Sequence, residues 1–168
     1  MEKLRVEIND CGDKRYYKWN TYELHNPYGP AIEFAYGSKS WYLNGKLHRE
    51  DGPAIEWTDG HKEWWINGKV HREDGPAIEH VDGAKEWWIN GKRHREDGPA
   101  VEYANGSKFW YVNSKRHRED GPAIEWADGH KEWYLNGVEL TEKEFNNRHS
   151  CAGKVVEIDG KRYKLEEV

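Results

Sequence analysis

Through most of the chain, short apolar runs alternate with polar ones, and no stretch inside the central segment carries a helical period. Ala54-Ile55-Glu56-Trp57 and Lys62-Glu63-Trp64-Trp65-Ile66 each alternate with a two-residue period and are rich in β-branched and aromatic residues, the pattern of half-buried strands. Asp59-Gly60 lies between them and Asn67-Gly68 follows. Each dipeptide predicts a two-residue type I′ turn, which needs positive φ at both centres. The unit recurs with a 23-residue period, in copies that begin at Leu24, Leu47, Val70, Arg93 and Arg116. A histidine follows each head (His25, His48, His71, His94, His117), and a Gly-Pro pair follows at a fixed offset. A period of this kind sets the whole architecture. Strands this short, joined without crossovers, pair antiparallel. The expected fold is all-β, an elongated single-layer antiparallel meander of tandem β-hairpins.

With Asp59-Gly60 as the two-residue loop, Glu56 faces Glu63, Ile55 faces Trp64 and Ala54 faces Trp65. Ile55, Trp57, Trp64 and Ile66 then share one face, and Trp65 stands on the other. The first face carries Trp41, Trp64, Trp87, Trp110 and Trp133, and the second carries Tyr42, Trp65, Trp88, Tyr111 and Tyr134. Residues 1–23 read as a degenerate capping hairpin built from Arg5–Ile8 and Lys14–Tyr17. The five repeats occupy 24–138, and 139–168 is a C-terminal cap. Thr141-Glu142-Lys143-Glu144 has the capping-box pattern and predicts a short helix over 141–148. Lys154–Ile158, Asp159-Gly160 and Lys161–Leu165 predict a last hairpin over 154–165.

Composition explains what such a sheet would bury. Leu, Ile, Val and Phe make up only about 16% of the 168 residues, a share that in a highly charged chain signals disorder. Here ten Trp and ten Tyr supply the missing apolar area, so the core is aromatic. No run of about 20 apolar residues is present to form a membrane helix. Met1-Glu-Lys-Leu-Arg lacks the apolar stretch of a secretory signal. Cys11 and Cys151 make neither a disulfide framework nor a zinc site, so a reducing, cytoplasmic location is expected. A net charge of −5 gives no attraction to nucleic acid or to anionic membranes.

Trp64 through His71, an aromatic pair followed by Asn-Gly-Lys and then His, resembles the MORN repeat. The heptapeptide His-Arg-Glu-Asp-Gly-Pro-Ala is similar to that of repeat proteins found in phages, large viruses and bacteria. The resemblance covers about 24–148, with one departure: the usual repeat has Gly after this His, whereas Arg49 follows His48. It implies an elongated single-layer sheet and roles in scaffolding, self-association and phospholipid binding. It also places the chain, if phage-encoded, in the host cytoplasm.

Few residues here have the pattern of a chemical site. Equivalent histidines fall about 10 Å apart, two strand spacings, too far to share an ion held at ~2.0–2.1 Å. They read as packed side chains that hydrogen-bond the following turn. The facing Glu56/Glu63, Glu79/Glu86 and Glu125/Glu132 need offsetting charges, from Arg49, Arg72, Arg95, Arg118 or the neighbouring lysines. Ser40 and Phe109 interrupt that pairing, which argues against repeated acid–base centres. No nucleophile motif, phosphate loop or dinucleotide fingerprint occurs. The expectation is therefore a protein that is not an enzyme and uses no cofactor and no metal.

The aromatic row of Tyr42, Trp65, Trp88, Tyr111 and Tyr134, with Arg49, Arg72, Arg95 and Arg118, is the candidate binding surface. Its wide spacing does not match successive stacked bases. The leading expectation is protein–protein interaction, as an inhibitor or adaptor, with homo-oligomerisation compatible. The alternatives are sequestration of a small anionic nucleotide signal and attachment to cell-wall glycan. The variable positions Phe34, Trp57, His80, Tyr103 and Trp126, and Ser38, His61, Ala84, Ser107 and His130, are where specificity would reside.

Overall fold

A two-residue side-chain alternation broken every few residues by a turn can only build a sheet of short strands. The computed structural model describes residues 2–148, 155–158 and 161–164. Strands β1 (Leu4–Ile8) and β2 (Lys14–Lys18) open the sheet. Each repeat then adds two-residue strands such as Ile55–Glu56 and Lys62–Glu63, and Lys131–Leu135 and Val138–Leu140 close it. Among the described residues, thirteen strands follow chain order in one antiparallel sheet. The fold is the expected elongated single-layer meander of tandem hairpins, with one short helix towards its C-terminus.

Each of the first four repeats carries a second, smaller ladder beside the main sheet, such as Trp65–Ile66 with Lys69–Val70. Its turn is the predicted type I′: Asn67 and Gly68 both take positive φ, 52° and 78°. Adjacent small ladders are joined by the Arg49 N–H to the Trp65 carbonyl and by the Gly68 N–H to the Leu47 carbonyl. Between the two ladders sits Trp64, whose carbonyl accepts from the His71 N–H (3.0 Å) and whose N–H donates to the Ala77 carbonyl (2.8 Å). Residues 72–76 therefore leave the sheet as a loop whose two ends meet at one tryptophan.

The other turn is not as predicted. Of Asp59 and Gly60 only Gly60 is left-handed, at φ 100°. Gly60 N–H donates to the Trp57 carbonyl, Trp57 N–H donates to the His61 carbonyl, and the Asp59 carboxylate accepts from the His61 N–H at 3.0 Å. The loop is thus Thr58-Asp59-Gly60, a type I turn closed by a left-handed glycine. The Asp side chain satisfies the N–H two residues on, which stabilises this longer form. One extra loop residue moves the register by one, so Glu56 faces Lys62 and Ile55 faces Glu63.

That shift exchanges side chains between faces. Ile55, Trp57, Glu63 and Trp65 share one face, here the aromatic face; Ala54, Glu56, Lys62 and Trp64 share the other, here the arginine face. The grouping of Trp64 with Ile55 and the facing of Glu56 by Glu63 are corrected accordingly. In their place Lys39, Glu56, Lys62, Glu79, Lys85, Glu102, Lys108, Glu125 and Lys131 alternate across the sheet. Each glutamate of that row has a lysine on both sides, the favourable arrangement for cross-strand charges.

Burial is greatest at the alanine that precedes the Ile or Val of each repeat's first strand. Ala31, Ala54, Ala77, Ala100 and Ala123 have no exposed surface; the last four lie in register with tryptophans of both flanking strands, and Ala31 with Tyr16 and Trp41. A second cluster joins Val101, Phe109, Ala123, Ile124 and Tyr134. Helix α1 (Glu142–Asn147) has the predicted capping box, Thr141 accepting from the Glu144 N–H while the Glu144 carboxylate accepts from the Thr141 N–H. Its buried Phe145 anchors it near the closing strands. Val155–Ile158 and Lys161–Lys164 pair antiparallel. The Asp159-Gly160 turn and the ends of the predicted 154–165 hairpin lie outside the described residues.

Candidate functional site: one self-satisfied face and one open aromatic face

The His-Arg-Glu-Asp-Gly-Pro-Ala segment forms the loop over Trp41, Trp64, Trp87 and Trp110 of the arginine face. Arg72 lies flat on Trp64, its guanidinium carbon 4.1 Å from the ring centroid. Its Nε donates to Asp74 at 2.8 Å, and its Nη1 donates to the Pro76 carbonyl at 3.2 Å and to Glu79 at 3.4 Å. Arg49, Arg95 and Arg118 repeat the arrangement over Trp41, Trp87 and Trp110, each at 4.0 Å. The arginine hydrogen bond holds each of Asp51, Asp74, Asp97 and Asp120 below the ordinary carboxylate range. Gly75 leaves room for this packing, because a Cβ there would meet the Arg72 guanidinium at 3.1 Å.

The histidine ties each loop to the Asn turn that follows it in the chain. His71 Nδ1 accepts from the Asn90 N–H at 3.1 Å, and His25, His48, His94 and His117 accept in the same way from Asn44, Asn67, Asn113 and Asn136. This is the expected bond to the following turn, and it fixes Nδ1 as the acceptor nitrogen. Successive loops leave grooves between them, such as the 800 Å³ groove walled by Arg95, Trp110 and Arg118. Their outer rims are acidic: the side chains of Glu96 and Asp97 are both 83% exposed. The four predicted binding arginines therefore spend their donors on their own loops, on the face opposite the predicted aromatic row.

On the aromatic face, Tyr42, Trp65, Trp88 and Tyr111 are half-buried and Tyr134 is buried. Trp65 and Trp88 donate their indole N–H groups to Glu63 (2.7 Å) and Glu86 (3.0 Å), and the Tyr134 hydroxyl donates to Glu132 (3.0 Å). Burial pushes the Tyr42 phenol up, and burial together with the Glu132 carboxylate does the same for Tyr134. The arginines that meet this row are Arg93 and Arg116, which were not among the predicted site residues. Arg93 lies over Trp88 (5.1 Å) and Tyr111 (5.7 Å) and donates to Glu86 at 3.1 Å. Arg116 lies over Tyr134 at 4.9 Å and donates to its hydroxyl at 3.0 Å. A hydrogen bond with the Tyr111 phenol pushes the Arg116 guanidinium further up. Their side chains keep 36% and 39% of their surface exposed, against 21–23% for the loop arginines. The signal was in the copy heads, where Leu24, Leu47 and Val70 give way to Arg93 and Arg116.

The variable positions border this row along the turn edge. Trp57 meets His61 edge-on at 4.5 Å, and His61 meets His80 at 4.9 Å. Phe109 meets both Tyr103 (5.2 Å) and Trp126 (4.8 Å). A shallow 490 Å³ hollow opens between Trp57 and His80, over Glu63. Ser38 and Ser107 are instead structural, accepting the Thr58 and Ala127 N–H groups of the next turn.

Fold and site together define a tandem β-hairpin repeat protein with one self-satisfied face and one face of open aromatic and cationic groups. No protein-family model matches the chain, and no curated protein matches it.

Proposed function

We propose that this chain is a non-enzymatic binding module that engages another protein through the aromatic face of its last three repeats. The observation that carries the reading is the pair Arg93 and Arg116, set over Trp88, Tyr111 and Tyr134 with more than a third of their side-chain surface open. Aromatic rings and arginine are the residues that most often anchor protein interfaces. Glu86 and Glu132 already sit beside these arginines and offset their charge, which favours a mixed polypeptide surface over a small anion. The resemblance of the repeat to the MORN type and to phage repeat proteins supports an adaptor or inhibitor working in a host cytoplasm.

Arg93→Val with Arg116→Leu tests this without threatening the fold, because Val70 and Leu47 occupy the equivalent place in other copies. Capture from the cells of origin is compared between the parent chain and the double variant. The expected result is one stoichiometric protein partner that the variant loses while its thermal midpoint stays the same. Equal capture by both chains, or no protein partner with a thermal shift by one nucleotide or cell-wall glycan, rejects the reading.

A further inference from the structure

The first strand of the sheet is unusual for an open edge. Natural edges are blunted by short strands, prolines, bulges or inward-pointing charges. β1 runs five residues, Leu4-Arg5-Val6-Glu7-Ile8, in unbroken register with β2 and without a proline or bulge. Its outward backbone groups can be identified. Tyr16, opposite Val6, donates its N–H to the Ala31 carbonyl and accepts from the His25 N–H, so its backbone points away from β1. Val6, and with it Leu4 and Ile8, therefore turn their N–H and C=O groups outward. Among the described residues no backbone partner meets them.

The side chains tell the same story. Val6 and Ile8 are 48% and 65% exposed, and Trp19, Tyr22, Tyr28 and Tyr36 add exposed rings within the same first 36 residues. Arg5 is held between the rings of Tyr17 and Tyr22, at 4.6 and 4.4 Å, and pairs through Nη1 with Glu7 of its own strand at 3.2 Å. Among the described residues its buried Nε and Nη2 meet no hydrogen-bond partner, while the side chain as a whole is 29% exposed and open to a second carboxylate.

From these observations we infer that β1 pairs antiparallel with β1 of a second copy, across a two-fold axis at Val6. In that register Val6 faces Val6, Leu4 faces Ile8, and Arg5 faces Glu7 at both ends. All three outward residues then sit in hydrogen-bonded pairs. Apolar meets apolar on one face and opposite charges meet on the other, which makes the five-residue strand complementary to itself. The dimer continues the sheet through the axis and leaves the aromatic faces of the last three repeats at the two far ends.

Sedimentation velocity on the full chain, with amide hydrogen exchange at low and high concentration, tests the pairing. The expected result is a species of twice 19.8 kDa at tens of micromolar, with exchange at Leu4, Val6 and Ile8 slowing as concentration rises. Glu7→Arg sets like charges opposite each other twice and is expected to weaken association about tenfold or more. Val6→Lys, at an exposed position, is expected to give a monomer whose thermal midpoint equals that of the parent chain at concentrations where the parent is dissociated. The inference is overturned if the parent chain remains a monomer at 100 μM, in roughly the range where weak pairing shows. A dimer indifferent to both variants, or open-ended assembly through the strand at the other end of the sheet, also overturns it.

Discussion

Gly75→Ala is the most diagnostic single change in the array. Gly75 does not have a positive φ, so alanine meets no backbone strain there, and in most settings the change would stabilise by about 0.4–1 kcal/mol through the unfolded chain. Here the new methyl would stand 3.1 Å from the Arg72 guanidinium carbon and lift it from Trp64. The stacking contact contributes about 1 kcal/mol. The hydrogen bond to the Pro76 carbonyl adds about 1 kcal/mol, and the half-exposed pairing with Glu79 about 0.5 kcal/mol. The Asp74 contact is exposed and screened and adds little on its own. Net destabilisation of about 1–2 kcal/mol follows once the unfolded-state gain is subtracted. The sign should reverse where Arg72 is already Ala: the methyl then enters vacated space, and Gly75→Ala stabilises by about 0.5–1 kcal/mol. Urea unfolding of the parent chain, both single variants and the double variant closes the cycle, with a coupling near 2 kcal/mol. Equal destabilisation of both backgrounds by Gly75→Ala would refute the claim that this glycine exists to seat the arginine.

Two further outcomes follow from the same face. Ala77 has no exposed surface and bonds through its backbone to Trp64 and Glu86, so Ala77→Val should overpack the site and lower stability by about 1–3 kcal/mol in urea unfolding; a neutral result would mean the tryptophans flanking it are free to move. In acid, the four loop aspartates have lowered folded pKa values because arginine hydrogen-bonds their ionised form. Their stabilisation is complete above the unfolded value of about 3.9 and fades as pH falls through the lower folded values. The urea midpoint should therefore decline below about pH 4, and replacing all four by Asn should flatten that decline. An identical acid limb in that variant would show that other carboxylates govern it.

The sequence made the period, the Asn-Gly turns, the helix cap and the single-layer sheet legible because each rests on chemistry within a few residues. Register was harder to read, since it depends on whether an Asp-Gly pair closes a two-residue or a three-residue loop. Asp59 can take positive φ in the shorter loop or hydrogen-bond the His61 N–H in the longer one, and the structure shows the second. That single residue reassigned every side chain to its face, turned facing glutamates into Lys–Glu alternation, and parted the aromatic row from the loop arginines. The row recurs with the repeat and shares one face. The arginines beside it were harder to read, because Arg93 and Arg116 stand at the heads of copies, where aliphatic residues in the earlier copies made the position look purely structural.

The distribution of constancy between the two faces has a physical cause. On the arginine face the heptapeptide and the strand after it answer several demands at once: His71 bonds the following Asn90 turn, Arg72 covers Trp64, Asp74 and Glu79 hold the guanidinium, Gly75 admits it and Ala77 fits in register with the tryptophans. Losing one of them weakens the contacts of the others, and four of the five copies keep the set intact, while of the heptapeptide the first keeps only its His, Gly, Pro and Ala. On the aromatic face Glu63 bonds a histidine and an indole in its own repeat, while Ser40 and Phe109 fill the same place elsewhere without loss of register. The scaffold therefore constrains one face tightly and leaves the other free to vary, and variation without structural penalty is the condition under which a surface can be tuned to a partner. Arg93 and Arg116 are that freedom in use: at the same place in the repeat, Leu47 and Val70 serve the fold equally well, so the fold alone does not demand the two charges over Trp88 and Tyr134.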